Sequence, residues 1–307
     1  MNNRYTEINN SYKKRLVYHL GSEAGFFSEY NNMILAMLYC LKQKIRFELY
    51  SKDANFGILN GWTDFFEPFC SENYQKWHEK YNFRQRLFEI SLLKKIKTQF
   101  YKIIFNTQYL TYELWNKFHI KEFESEYFEI PELGINGDLL SASKKIIKLT
   151  WNYNKKTKLQ INSLVSTIGL PKIYNGIHIR GGDKFLEFEK LEVDSYMKKI
   201  SKISNIKNIF VLTDDYRIVS ELRENYSEYH FYTLCKEDEI GYFHSDFDKV
   251  SLEQKRNDMV KLFASMDILA NSQLFVGTFS SNPGMYLGMR MDINKVKGVD
   301  LEKWCVW

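Results

Sequence analysis

The sequence predicts an α/β protein with two halves, each built around a parallel sheet. Short apolar runs alternate with longer stretches in which apolar residues recur at helical spacing. This alternation occurs at the start of the chain and again from Ile173 onward, and the region between is helical and rich in aromatic residues. Because 307 residues exceed what one hydrophobic core usually organises, we expect two domains, 1–170 and 171–307.

The first half begins with a βαβ unit. Leu16–Leu20 predicts a strand, Gly21–Gly25 a loop, and Ile45–Tyr50 a second strand. Between them, Tyr30–Gln43 predicts a helix because its apolar residues fall on one face: Met33, Ile34, Met37, Leu38 and Leu41. Ser71–Leu170 then predicts a helical insertion, with its clearest segments at 84–105 and 137–153.

The second half repeats the strand and helix alternation. We expect a strand running from Ile173 into His178, and after it helices at Asp194–Ile203, Tyr216–Asn225 and Asp258–Ala270, with strands at Asn208–Leu212, His230–Leu234 and Leu274–Val276. This order predicts a doubly wound parallel sheet.

Three polar segments directly follow predicted strands of the second half. They are "HIRGGDK" (178–184), "TDD" (213–215) and "TFSSN" (278–282). The carboxyl ends of parallel strands meet at the sheet edge where ligands bind. We therefore expect these segments to form one site.

The residue types in these segments favour a phosphorylated ligand. Arg180 offers a rigid fork suited to phosphate, and the adjoining Gly181 and Gly182 let the backbone approach a ligand. Asn282 is a good N-cap and Pro283 a good first helical residue, so a helix is expected to begin there with its amides facing an anion.

Composition excludes several other classes of function. Lys and Arg number 43 against 38 Asp and Glu, without a basic run, so no nucleic-acid partner is expected. The four cysteines are scattered, and predict neither a disulfide framework nor a zinc site. The longest apolar run, Met33–Leu41, is too short to span a bilayer. We expect a cytoplasmic protein and leave peripheral attachment at the inner face of the membrane open.

The three polar segments resemble the motifs of the alpha-1,6-fucosyltransferases. "HIRGGDK", "TDD" and "TFSS" occur in the order and roughly at the spacings of that family. The resemblance extends to "GFFSEYNNMILAMLYCLKQKIRFEL" (25–49), "NGWTDFFEP" (60–68) and "TKLQINSLVSTIGLPKIYNGIHIR" (157–180), and so covers most of the chain.

The resemblance implies an inverting GT-B enzyme that transfers fucose from GDP-fucose to an oligosaccharide or glycolipid, α-1,6 to a GlcNAc-containing glycan, without cofactor or metal. Lys184 and Trp62 are candidates for the acceptor side. The donor-side candidates are Gly25, Phe26, His178, Arg180, Asp214, Asp215, Thr278, Ser280 and Ser281, with Arg180 neutralising the diphosphate. "SDFD" (245–248) matches a metal-binding pattern, but no predicted strand precedes it, so no metal site is expected.

Two departures from the family bear on the catalytic residues. Gly181 stands where the family usually has a second basic residue after the motif arginine. The family's proposed base aligns with Phe188, which is flanked by Glu187 and Glu189. We therefore take Glu187 or Glu189 as the catalytic base, with Asp183 as the next candidate.

Other interpretations stay open at this point. A second possibility is an alpha-1,2-fucosyltransferase, whose similar "H-x-R-x-G-D" motif overlaps with this one, or another GDP-sugar transferase of surface polysaccharide synthesis. A catalytically inactive sugar-nucleotide-binding protein is a third possibility. His178 could be a satisfied buried histidine, Arg180 could pair with Asp183 structurally, and one of Asp214 and Asp215 is expected to cap a helix. Trp62 is more typical of a core residue than of a sugar platform.

Overall fold

The chain forms two compact α/β units. The computed structural model describes residues 2–21, 24–84, 91–181, 192–241 and 250–306. The first unit comprises Met1–Asn154 with Val306–Trp307, and the second comprises Lys155–Cys305. The border thus falls earlier than the predicted one after Leu170, because the helix at Lys155–Ser166 groups with the second unit.

The first unit contains a three-stranded parallel sheet with strand order β2-β1-β3, so β1 is central. Strands β4 and β5 form a separate antiparallel pair. The elements are α1 (Asn2–Ser11), β1 (Lys14–His19), α2 (Phe26–Lys42), β2 (Ile45–Tyr50), α3 (Trp77–Tyr81), α4 (Leu92–Ile104), β3 (Tyr109–Leu110), α5 (Thr111–Phe118), β4 (Phe128–Ile130), β5 (Ile135–Gly137) and α6 (Leu139–Thr150).

The second unit is built around a five-stranded sheet with strand order β10-β9-β6-β7-β8, in which all pairs are parallel. Its elements are α7 (Lys155–Ser166), β6 (Asn175–His178), α8 (Val193–Ile203), β7 (Asn208–Leu212), α9 (Tyr216–Asn225), β8 (His230–Thr233), α10 (Leu252–Ala270), β9 (Phe275–Gly277), α11 (Asn282–Arg290) and β10 (Val296–Gly298). Within this sheet the chain first forms the central strand β6, then adds β7 and β8 on one side, and finally adds β9 and β10 on the other side. The topological switch point therefore lies between β6 and β9.

Most predicted elements are present, with shifted ends. Strands β2 and β7 and helix α9 have the predicted bounds. Helix α10 begins six residues before the predicted Asp258, since the Ser251 hydroxyl caps it by accepting a hydrogen bond from the Gln254 amide. Helix α7 packs on α10, where Arg256 donates to Gln160 at 2.9 Å.

Helix α1 was not predicted, because its sequence is almost entirely polar. Its position depends on two residues. Tyr5 is fully buried, and the Asn9 side chain pairs with the backbone of Phe47 in β2, accepting from the amide at 2.7 Å and donating to the carbonyl at 2.8 Å. The helix thus docks through one aromatic ring and one amide. Within the described residues, no helix combines the length and apolar character needed to cross a membrane.

Candidate functional site

The described parts of the three polar segments, 178–181, 213–215 and 278–282, lie at one edge of the sheet of the second unit, as predicted. Strand β6 pairs with β7 on one side and β9 on the other, and Ile177 is level with both Val211 and Val276. The segments that begin at His178, Thr213 and Thr278 therefore leave the sheet side by side. They flank the switch point, which is where open parallel sheets bind their ligands.

The segment after β6 packs tightly on the segment after β7. The Gly181 amide donates to Asp214 Oδ1 at 2.6 Å. A Cβ at position 181 would lie 2.4 Å from the Cβ of Asp215, closer than side chains approach. Glycine is therefore required next to Arg180, which gives a steric reason why the chain lacks the family's second basic residue at this point.

Asp215 is a helix cap, as expected for one of the two aspartates. It is buried, and its carboxylate accepts from the Arg217 amide at 3.0 Å and forms a two-pronged pair with the Arg217 guanidinium. The partner Asp214 instead fixes the backbone that follows Arg180. Arg180 is half-buried, so part of the residue remains accessible to solvent.

The loop after β9 is organised around Ser281. The N-cap of α11 is Ser281 and not the predicted Asn282, because the Ser281 hydroxyl accepts from the Gly284 amide at 3.2 Å and donates to the Thr278 carbonyl at 2.8 Å. Ser281 is buried, and its hydroxyl is used within the turn. Thr278 and Ser280 are the half-buried side chains of this loop.

Asp300 holds the same loop from a distant part of the sequence. Its carboxylate accepts from the backbone amides of Phe279 and Ser280 at 2.8 and 2.9 Å. Burial raises the pKa of Asp300, but the hydrogen bonds from Ser280 and Phe279 outweigh it, so the pKa is lowered from the usual 3.8. The amides of Phe279, Ser280 and Gly284 thus already have partners, and the Ser280 side chain also bonds to Asp300, which leaves Arg180 and the Thr278 side chain as the groups suited to an anion.

Two predicted site residues of the first unit are core residues. The Phe26 ring lies among Phe27, Tyr30 and Phe56, and only 5% of the residue is exposed. Trp62 is fully buried, stacked on Phe66 at 4.3 Å between ring centroids. We therefore correct both assignments, since neither ring has surface for a ligand. Gly25 differs, because the space around its Cα is open.

The first unit carries a polar network that sequence reasoning missed. His19 ends β1, and both of its ring nitrogens face oxygens that only accept: Nε2 lies 2.9 Å from Asp53 Oδ1 and Nδ1 lies 2.6 Å from the Asn82 carbonyl. Burial lowers the pKa of His19, but the bond to Asp53, the Asp53 charge, the Asn82 bond and the Glu29 charge together raise it above 6.5. The two acceptor oxygens and the raised pKa both favour the doubly protonated, cationic form of His19.

A second carboxylate of this network fixes the loop after β1. Glu29 has no exposed surface, and it accepts from the backbone amides of Gly21 and Ala24 and pairs with Arg84 at 3.1 Å. Gly21 has a φ of 80°, which favours glycine. The signal for His19 was present in the sequence, since it follows an apolar run as His178 does.

Several predicted residues lie outside the described part of the chain. These are Asp183, Lys184, Glu187 and Glu189, together with "SDFD" at 245–248. Within the described residues, His, Cys, Asp and Glu side chains form no group of three or more that could hold a metal ion.

Comparison with known proteins supports one enzyme family. Residues 142–284, somewhat less than half of the chain, match the model described as alpha-(1,6)-fucosyltransferase N- and catalytic domains, and this range contains all three polar segments. The match supports a relation to this fucosyltransferase family. The protein is accordingly a glycosyltransferase. No curated protein matches the chain.

Solved structures of fucosyltransferases have a similar fold. The fucosyltransferase NodZ from Bradyrhizobium is 12% identical with a TM-score of 0.55, over 91% of this chain and 94% of that one. The NodZ alpha-1,6-fucosyltransferase soaked with GDP-fucose is 12% identical (TM-score 0.51), and the form co-crystallised with GDP is 14% identical (TM-score 0.50), each over 91% of this chain and 93% of that one. At these identities the likeness establishes the α/β fold of GT-B fucosyltransferases, which confirms the predicted fold class.

Proposed function

We propose that the enzyme transfers L-fucose from GDP-fucose to a hydroxyl of an oligosaccharide or glycolipid, with α-1,6 linkage to a GlcNAc-containing glycan and inversion at the fucose C1. The observation that carries this proposal is the meeting of three polar segments at the switch point of the second unit, with Arg180 among them. The family match covers the same segments, and the NodZ structures were obtained with GDP-fucose and GDP.

Arg180 is the residue we assign to the diphosphate. The bond between the fucose C1 and the β-phosphate oxygen breaks as the acceptor oxygen bonds to C1, so negative charge grows on the departing GDP. A guanidinium fork stabilises that charge with two parallel hydrogen bonds, which strengthen in the transition state. The Thr278 hydroxyl would donate to the same group, and His178, buried at the end of β6, lines the nucleotide side.

The acceptor hydroxyl must also lose a proton. We assign this proton to Glu187 or Glu189, because both closely follow the motif arginine in sequence. The two carboxylates are separated only by Phe188, and the reaction removes a single acceptor proton, so one of the two is expected to matter. Asp183 is the next candidate. Lys184 is assigned to the acceptor side for the same sequence reason.

The mechanism that we propose requires no metal ion, since Arg180 supplies the positive charge that a divalent cation would otherwise provide. The test is GDP release measured with GDP-fucose and a panel of acceptors that end in GlcNAc or galactose or are lipid-linked, with the product linkage read by NMR. We expect turnover with a GlcNAc-containing acceptor and no loss of rate on adding EDTA. Loss of activity with EDTA and its recovery with manganese would contradict the metal-free mechanism.

The same assay locates the base. We expect only one of the two variants, Glu187→Gln and Glu189→Gln, to lose activity, with kcat reduced by about 100-fold. The other variant should have nearly normal kcat. GDP binding, followed as a rise in Tm, should persist in both variants because the base lies on the acceptor side of C1. Near-normal kcat in both variants would mean that another group accepts the proton, and Asp183→Asn would be tested next.

A further inference from the structure

Helix α4 presents an apolar face to solvent. Six large apolar residues of the helix are between 54% and 80% exposed: Leu92, Leu93, Ile96, Phe100, Ile103 and Ile104. At about 100° per residue, these six positions fall within an arc of about 120°. Such an arc would normally face a hydrophobic core, so its exposure requires an explanation.

The other side of α4 fixes this orientation. Thr98 is buried, and the Tyr101 ring stacks on Trp77 at 5.5 Å between centroids. Lys102 Nζ pairs with Glu113 at 2.6 Å. Lys94 Nζ lies 4.1 Å from the centre of the Phe83 ring. The helix is therefore held against the first unit by one side, and its apolar arc points outward.

The charges on α4 are all positive. Between Ser91 and Phe105 the sequence contains four lysines and no acidic residue. Lys95 and Lys97 are exposed, and at helical spacing they lie on opposite borders of the apolar arc. Long lysine side chains in such border positions extend along apolar surface while their ammonium groups reach a polar layer.

This pattern matches an anionic lipid surface better than a protein. A membrane surface offers acyl chains to the arc and phosphate groups to both lysine borders. A second copy of the same helix would instead bring lysine borders together. The 13 residues of α4 extend about 20 Å, too short to span a bilayer but sufficient to lie in its interface.

We propose that α4 docks the enzyme peripherally on membranes that contain anionic lipids, with its apolar arc in the interface and Lys95 and Lys97 on the lipid phosphates. This proposal is independent of the proposed function. It is tested on the full chain by co-sedimentation with phosphatidylcholine vesicles, with and without phosphatidylglycerol. We expect binding to the anionic vesicles that weakens with added salt, since the lysine contribution is screened.

Two double variants separate the apolar and charged contributions. Ile96→Glu with Phe100→Glu should reduce vesicle binding roughly tenfold or more. Lys95→Gln with Lys97→Gln should reduce binding to anionic vesicles by about fivefold per lysine and leave the weak binding to neutral vesicles unchanged. The matched controls are exposed residues of helix α7. Leu159→Glu is the control for the apolar variant, and Lys155→Gln with Lys156→Gln is the control for the lysine variant. Both controls should bind vesicles like the wild type.

Because all substituted side chains are exposed, melting curves of the variants should overlay the wild type. The proposal is overturned if the wild type binds neither type of vesicle, or if the apolar double variant binds as well as the wild type. If the wild type instead dimerises with rising concentration and does not bind vesicles, and if the apolar double variant stays monomeric, the apolar arc of α4 is an interface with a second copy of the chain.

Discussion

Gly181→Ala tests whether the packing of the two segments after β6 and β7 positions Arg180. The added Cβ would lie 2.4 Å from the Asp215 Cβ, about 1 Å short of ordinary contact. Asp215 is held by its cap bond and by Arg217, so we expect the segment that carries Arg180 to move instead. A misplacement of about 1 Å at a catalytic group costs on the order of 100-fold in rate, and we expect that loss in kcat/KM.

Stability should also fall, because the displaced Gly181 amide leaves Asp214. A hydrogen bond to a charged group contributes about 1.5–3 kcal/mol, and a domain of this size loses about 2–4 °C in Tm per kcal/mol. The assay is steady-state GDP release beside a melting curve. Gly25→Ala is the matched control for stability, since a Cβ there meets no atom within 4 Å. Wild-type kcat/KM and Tm in Gly181→Ala would refute the reasoning.

Two further predictions concern charged groups. Arg180→Lys keeps the charge but loses at least one charge-assisted hydrogen bond of about 1.5–3 kcal/mol, so kcat should fall roughly 10- to 150-fold at saturating GDP-fucose with Tm unchanged. The same substitution at the exposed Arg4 of helix α1 is the control and should leave kcat nearly normal. Equal losses of kcat in the two variants would contradict a role of Arg180 at the diphosphate. The raised pKa of His19 means that its protonation stabilises the fold fully below pH 6.5 and that this contribution is lost as pH rises through the folded pKa. The difference in urea midpoint between wild type and His19→Gln should therefore shrink from pH 6 to 9, and a constant difference would contradict a cationic His19.

The elements that could be predicted from the sequence are those that are held in place by burial of their apolar residues. Strand β7 has its predicted bounds because it is a short continuous apolar run with three consecutive buried residues, and helix α9 has them because its buried residues recur at helical spacing. Helix α1 has no such pattern, because it is held by Asn9 and Tyr5 through contacts with residues far along the chain. The first turns of α10 are likewise polar, and only the Ser251 cap indicates where that helix begins.

The position of the candidate site was predictable, whereas its internal bonds were not. Polar residues directly after strands located His178, Thr213 and Thr278 at one edge, since strand order alone brings them together. The partners of these segments come from elsewhere in the sequence. Asp214 lies 33 residues from Gly181, and Asp300 lies 20 residues from Ser280. No local pattern specifies such pairs, because they depend on how the strands are ordered in space.

The bond between Asp300 and the loop after β9 restricts how the protein can be shortened. Residue 300 follows β10, the edge strand of the sheet, which pairs with β9 over only three residues. A designer trimming the chain for crystallisation would regard such a segment as dispensable. Removing it would deprive the Phe279 and Ser280 amides of their carboxylate and loosen the loop that carries Thr278. Shortened versions should therefore keep Asp300, and random libraries aimed at donor specificity should hold it constant.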